Sequence, residues 1–201
     1  VTGAGSGSIG AELVKSLLEG GATVLAAIRT ARSEAALTKE YARFQSIYKE
    51  FGAKDSKLYL VPCNCASQQD MKSLVSYTYD KLGLDVDFVV PFAAAAQQGK
   101  DISSIDASSE VSHRMMMTNV VRLLGALKDA KTSRDITTRP AMVLIPCSPN
   151  HGEFGQDGLY AESKLGCEAL LNKWSSEGWG DYLSLAACVI GWTRSALMQH
   201  N

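Results

Sequence analysis

The sequence predicts an α/β protein: a doubly wound, mostly parallel sheet with helices on both faces. Three observations predict it. Short, nearly continuous apolar runs alternate with longer segments of helical period, the pattern of strands buried on both faces and joined by crossover helices. A glycine-rich stretch, VTGAGSGSIG, opens the chain where one such run meets the first helical segment. The 201 residues, 46% hydrophobic and 20% charged, suit one sizeable globular domain.

The elements follow in order. Val1 reads as the end of a strand, and a strand needs roughly five residues. The first strand is therefore expected to be truncated, and residues 1–201 to be a single domain excerpted from a longer multidomain polypeptide. Residues 9–19 carry Leu13, Val14, Leu17 and Leu18 on one helical stripe, and TVLAAI (23–28) is the first complete strand. Residues 34–52 repeat Leu37, Tyr41, Phe44, Ile47 and Tyr48 at steps of three and four before the strand KLYLVP (57–62). Ser67 and Asp70 form a capping pair at the head of a helix over 68–82. DFVVPF (87–92), AMVLIP (141–146) and LSLAACVI (183–190) are the remaining strands, separated by long helices over 109–129 and 159–178. Strand and helix alternating throughout means right-handed βαβ units.

Composition excludes several function classes. The formal net charge is −1 with no dense Lys/Arg cluster, which argues against a nucleic-acid partner. No apolar stretch approaches the eighteen or so residues of a membrane span, and no signal-peptide pattern opens the chain. The five cysteines (63, 65, 147, 167 and 188) form neither CxxC pairs nor a metal-ligand spacing. Reduced, mostly buried thiols in a cytoplasmic setting are expected, with no metal site.

Doubly wound sheets bind ligands at the carboxyl ends of their strands, beside the reversal in strand order. There the chain places Gly3, Gly5, Gly7, Ser8, Ile9 and Gly10, in which Gly5, Gly7 and Gly10 satisfy GxGxxG. Missing side chains let backbone approach a pyrophosphate, and a helix N-terminus offers N–H groups and the positive end of its dipole. In this Rossmann-like setting NAD calls for an acid at the end of the second strand. This chain has Arg29, with Arg32 close behind. Guanidinium grips a 2′-phosphate, so NADPH is expected rather than NADH, unless both arginines are merely solvated loop charges.

Beyond the fourth complete strand, DGLYAESK sets Tyr160 and Lys164 four residues apart on one helix face. A phenol near pKa 10 is poorly matched to neutral acid–base work. An ammonium about 4 Å away at an effective dielectric of about 20 is worth roughly 4 kcal/mol, near three pKa units. YxxxK alone is common by chance. Its position, with Ser148 in CSPNHG and the glycine loop at the same sheet edge, gives it weight.

Glycine loop, serine after a central strand and YxxxK together resemble the short-chain dehydrogenase/reductase family. Within it, TGAGSGSIG, DFVVPFAA, SPNHGEFGQDGLYAESK, WGDYL and VIGWTR resemble the β-ketoacyl reductase domains of fungal type I fatty acid synthase α subunits, over residues 1 to about 198. The resemblance implies a tetrad. Tyr160 protonates the developing alkoxide, Lys164 lowers its pKa and bonds the nicotinamide ribose, Ser148 bonds the carbonyl oxygen, and Asn119 holds a proton-supplying water chain. It also implies cofactor contacts at Asn64, Ala93 and Thr193, a 3-oxoacyl substrate on acyl carrier protein, and the other domains and subunits of a large fatty acid synthase as partners.

The chain departs from the family pattern at several points. Gly10 comes one residue later than TGxxxGxG would have it, Ser148 and Tyr160 are one residue closer than in most members, Asn64 replaces an Asp, and Phe92-Ala93-Ala94-Ala95 replaces NNAG. His151 beside Ser148 invites a hydrolase reading, but no acid partner has clear spacing and the GxSxG elbow is missing. His113 and His200 look incidental, Met115 to Met117 read as packing, and Trp174, Trp179 and Trp192 as buried anchors, Trp192 lying near the expected cofactor. Two other functions stay open: a reductase of a free ketone or polyketide, and a non-catalytic NADP-binding structural module.

Overall fold

The computed structural model describes residues 1–29 and 33–198. The elements are α1 (Ile9–Glu19), β1 (Thr23–Ile28), α2 (Glu34–Phe51), β2 (Lys57–Pro62), α3 (Gln68–Ser76), β3 (Phe88–Val89), α4 (Ala107–His113), α5 (Asn119–Thr132), β4 (Ala141–Cys147), α6 (Tyr160–Ser176) and β5 (Leu183–Val189). The capping pair is real. Ser67 Oγ accepts from Asp70 N at 3.2 Å and donates to Asp70 Oδ1 at 2.7 Å.

β1 pairs with β2, and β3, β4 and β5 pair in sequence, all parallel. Val1 and Thr2 join the two groups. Val1 N donates to Leu25 O at 2.8 Å and Val1 O accepts from Ala27 N at 2.9 Å. On the other side Thr2 N donates to Val90 O at 2.9 Å, and Thr2 bridges Pro91 in parallel. The spatial order is therefore β2, β1, residues 1–2, β3, β4, β5, with its reversal at residues 1–2, immediately before the glycine loop. This is the switch point of a doubly wound sheet. The predicted strand 87–92 is regular only at Phe88–Val89, because its neighbour on one side is two residues long.

Two apolar clusters mark the two faces. Val14, Leu18, Phe44 and Ile47 of α1 and α2 pack on Val24, Ala26 and Ile28. Met71, Val75, Leu123, Leu127, Cys167 and Leu170 of α3, α5 and α6 pack on Val143, Ile145, Leu183 and Leu185. Ala27 belongs to the second cluster while its neighbours in β1 belong to the first, as strand alternation requires. Helices thus cover both faces of β1. On the opposite face of β3 and β4, Phe88 (68% exposed) and Met142 (38%) lie open among the described residues.

Two helices contain π turns, each with a backbone bond reaching back five residues. One spans Tyr77–Lys81 and ends with Leu82 N on Tyr77 O. The other spans Arg114–Thr118 and ends with Asn119 N on Arg114 O, welding α4 to α5. Met116 is buried within the second, and Met117 packs against Gly166 of α6, so these methionines are packing. Trp174 Nε1 donates to Leu183 O at 2.8 Å and Trp179 is buried. Cys63, Cys147 and Cys167 are buried thiols, Cys65 half-buried and Cys188 exposed. Among the described residues no helix is long and apolar enough to cross a membrane.

Candidate active site

Two glycines of the loop, Gly3 and Gly10, sit in contacts that leave no room for a side chain. Gly3 is left-handed (φ +71°), and a Cβ there would stand 2.3 Å from Phe92 O. A Cβ on Gly10 would stand 2.6 Å from Gly3 O, so α1 starts hard against the loop. Ser8 caps α1: its Oγ accepts from Ala11 N at 3.1 Å and lies 2.7 Å from Gly5 O and 2.8 Å from Gly3 O. At Gly5 no protein atom lies within 4 Å of where a Cβ would be. That open ground, beside the first-turn N–H groups of Ile9 and Gly10, forms a cradle suited to a pyrophosphate. Arg29 is exposed at the end of β1, and Arg32 lies outside the described residues.

Other expected cofactor contacts gather at the same edge. Ala93 N donates to Thr2 Oγ1 at 3.1 Å, which fixes the backbone after β3 against the central segment. Asn64 is exposed, but its Oδ1 accepts from Ala66 N at 3.0 Å and its N–H is taken by Asp70 Oδ2 at 2.8 Å. The amide nitrogen of that side chain and one lone pair of Oδ1 are left to face an adenine. Thr193 is exposed in a segment that returns to the glycine loop, where Ala196 N donates to Gly7 O at 2.8 Å. Arg43 escaped the sequence reading: its Nη2 donates to Ala4 O at 2.7 Å and pairs with Glu40 at 2.8 Å, holding the loop from α2.

Ser148 follows β4 and Tyr160 opens α6, and the Ser148 hydroxyl acts on the phenol, tending to lower its pKa. Ser148 Oγ also accepts from Asn150 N at 3.1 Å. Lys164, one turn on, is buried and donates from Nζ to Pro146 O at 2.8 Å, with Nζ 5.5 Å from the Tyr160 ring centroid. The expected depression of the phenol by this ammonium does not appear. Burial raises the Tyr160 pKa, the negative charge of Asp157 adds to that, and the Ser148 hydroxyl offsets only part. Burial likewise lowers the Lys164 pKa. The reason is geometric: the ammonium is directed to a carbonyl behind the ring rather than to the phenol oxygen.

Asn119 is 1% exposed and committed elsewhere. Its Nδ2 donates to Cys65 O at 2.8 Å, and its Oδ1 accepts from Arg122 Nη1 at 2.9 Å. Lys164 is thus held beside the Tyr160 ring, while Asn119 ties α5 to the loop after β2. His113 is not idle, since its Nδ1 lies 2.9 Å from Ser163 Oγ and links α4 to α6. His151 does have an acid partner, Glu168 at 2.9 Å, but Ser148 Oγ accepts from Asn150 N instead, so no Ser–His pair forms among the described bonds. His200 lies outside the described residues.

A cavity of about 600 Å³ opens over Ser148 and Tyr160. Gln97, Asn150, Phe154 and Asp157, none of them predicted from sequence, line it together with Trp192, which the sequence placed near the expected cofactor. Trp192 is not a buried anchor: it is 67% exposed and meets Phe154 edge to face at 5.5 Å.

This arrangement of glycine cradle, hydroxyl pair and buried lysine on a doubly wound sheet has close counterparts. A family model described as enoyl-(acyl carrier protein) reductase matches residues 3–197. The chain belongs to the short-chain dehydrogenase/reductase family, a family of oxidoreductases. It is 51% identical to the fatty acid synthase subunit alpha of Penicillium patulum over 205 residues, 100% of this chain and 11% of that protein. It is 48% identical to that of Saccharomyces cerevisiae over 207 residues, with the same coverage. The chain thus spans about 11% of the length of these relatives. Among solved structures, a metagenomic short-chain oxidoreductase in complex with NADP matches with a TM-score of 0.77 at 19% identity, covering 99% of this chain and 82% of that one. An NADPH-bound carbonyl reductase from chicken fatty liver matches at 0.72 and 18%, covering 98% and 80%. At such identities the solved structures speak for the fold alone.

Proposed function

We propose that this chain is an NADPH-dependent 3-oxoacyl-[acyl-carrier-protein] reductase, working as one domain of a large cytoplasmic fatty acid synthase. The observation that carries the reading is that the Ser148 and Tyr160 hydroxyl groups line one cavity, with the Ser148 hydroxyl acting on the phenol. Two hydroxyls lining one cavity suit a ketone oxygen that gains charge and then a proton. The glycine cradle and Arg29 fit a dinucleotide bearing a 2′-phosphate, and NADPH when bound supplies the hydride. Tyr160 gives its proton to the oxygen as the carbonyl carbon is reduced, and Ser148 holds that oxygen in line. The family resemblance assigns Lys164 and Thr193 to the nicotinamide end. The fatty acid synthase relatives favour acyl carrier protein as the partner presenting the substrate.

The test is NADPH oxidation by the complete protein on an acetoacetyl thioester, with Tyr160→Phe beside it. Turnover by the wild type and a loss of at least about a hundredfold in the variant are expected, the scale of general acid catalysis. Equal turnover by both would remove Tyr160 from the chemistry. A crotonyl thioester belongs in the same assay because the family model is described by an enoyl reductase. Its reduction in preference to the ketone would replace this reading. Cofactor binding without turnover of any substrate would favour a structural module, and equal rates on a free ketone a less specialised reductase.

A further inference from the structure

The lining of the cavity carries information about the substrate that the hydroxyl pair does not. Among the described lining residues there is no lysine, arginine or histidine, and one carboxylate, that of Asp157. Asn150 Nδ2 fixes that carboxylate with a bond of 2.8 Å to Oδ2, and Asp157 O accepts from Tyr160 N at 3.1 Å, so it stands at the head of the helix carrying the acid. Its charge is felt at the Tyr160 phenol, which it helps to raise after burial itself.

The nearby cations do not offset it. Lys164 is 5% exposed and turned to Pro146 O. Lys100 sends its ammonium to Asp106, Ser108 and Ser109. His151 is engaged by Glu168. A ligand carboxylate in this cavity would therefore meet a fixed like charge, with no cation among the described lining residues to pair with it.

We infer that Asp157 is a specificity-determining residue: it restricts the cavity to uncharged ketones, such as esters, amides and thioesters of 3-oxo acids, and turns away the free 3-oxo acids. The inference rests on the reductase reading above and adds a discrimination that reading does not contain. A tethered acyl thioester has no carboxylate and passes; the acid released by its hydrolysis does not. Like charges held about 6 Å apart at an effective dielectric of about 20 give a penalty on the order of tenfold to a hundredfold in kcat/KM.

The experiment compares acetoacetamide with acetoacetate, which match in shape and differ in charge, with the acetoacetyl thioester as reference. The complete protein is assayed as wild type, Asp157→Asn and Asp157→Glu. Asparagine can still accept from Asn150, so the loop keeps its tie. The expected result is a wild-type preference for the amide of at least about tenfold, largely retained in Asp157→Glu and reduced by about tenfold in Asp157→Asn through gain on acetoacetate. Raising the salt from low ionic strength to 0.5 M should narrow the wild-type preference without any variant. Equal use of amide and acid by the wild type, or an unchanged ratio in Asp157→Asn, overturns the inference and leaves the reductase reading standing. Failure of the wild type on thioester and amide alike overturns both.

Discussion

Lys164 holds its ammonium 5.5 Å from the centroid of the Tyr160 ring while donating to Pro146 O, so the two residues share a helix face without sharing a hydrogen bond. Burial raises the Tyr160 pKa from its ordinary value near 10. On the proposed mechanism ketone reduction uses the protonated phenol. In the cofactor-free geometry that form is complete at neutral pH and is lost only as pH rises through the raised value. The expected pH profile of kcat for reduction is flat from about pH 6 to 9, while the reverse oxidation, which needs the phenolate, climbs with pH over that range. A reduction rate that falls below pH 9 would show that ligand binding lowers the phenol, contrary to this geometry.

Arg29 stands exposed at the end of β1, where an acid would favour NADH. Arg29→Asp should raise the KM for NADPH by about tenfold or more and lower that for NADH, because a carboxylate repels a 2′-phosphate and bonds a 2′-hydroxyl. Steady-state kinetics with both cofactors decides it. Unchanged KM values would mean that Arg29 is only a solvated charge.

Gly10 lies where a Cβ would stand 2.6 Å from Gly3 O and 3.2 Å from Ala4 Cα. Gly10→Ala must push α1 away from the loop, an overpacking cost of about 1–3 kcal/mol. Thermal unfolding should show a lower Tm, and cofactor titration a weaker Kd, since the displaced helix carries its N–H groups with it. Gly5→Ala, which meets no protein atom within 4 Å, should keep the Tm and lose only cofactor affinity.

At the opposite end of the strands, Lys131 is fully buried and donates to Asp85 Oδ1 at 2.6 Å, where Tyr79 OH also donates at 2.8 Å. Burial acts to raise the Asp85 pKa, but the bonds from Lys131 and Tyr79 outweigh it and hold the carboxyl below its usual value. A depressed carboxyl stabilises the fold above its unfolded pKa near 3.9 and loses that contribution as pH falls through its folded value. Asp85→Asn strands the Lys131 charge and should cost about 3 kcal/mol at neutral pH. Denaturant unfolding should show that the gap from wild type shrinks below about pH 4. A gap independent of pH would mean that the pair contributes through packing alone.

The legible part of this protein was local. TVLAAI and KLYLVP became β1 and β2 at the predicted boundaries, and Ser67 capped its helix with Asp70, because apolar period and capping chemistry act within a few residues. The glycine loop and YxxxK were legible for the same reason. Other features could not be read. The central place of Val1–Thr2 depends on bonds to Leu25, Ala27 and Val90. Asn119 is turned to Cys65, 54 residues away, and Ala93 is fixed by Thr2 across 91. Lys164 faces a carbonyl on β4 rather than the phenol one turn before it.

Sequence by itself therefore determined the order of elements, the glycine loop and the presence of the tyrosine, the lysine and the serine. Tertiary structure alone decided which of these groups touch, how burial moves the Tyr160 pKa, and which side chains wall the cavity. Periodicity and turn chemistry are paid out over neighbouring residues, whereas pairing partners, desolvation and a cavity's charge arise only when distant segments pack together.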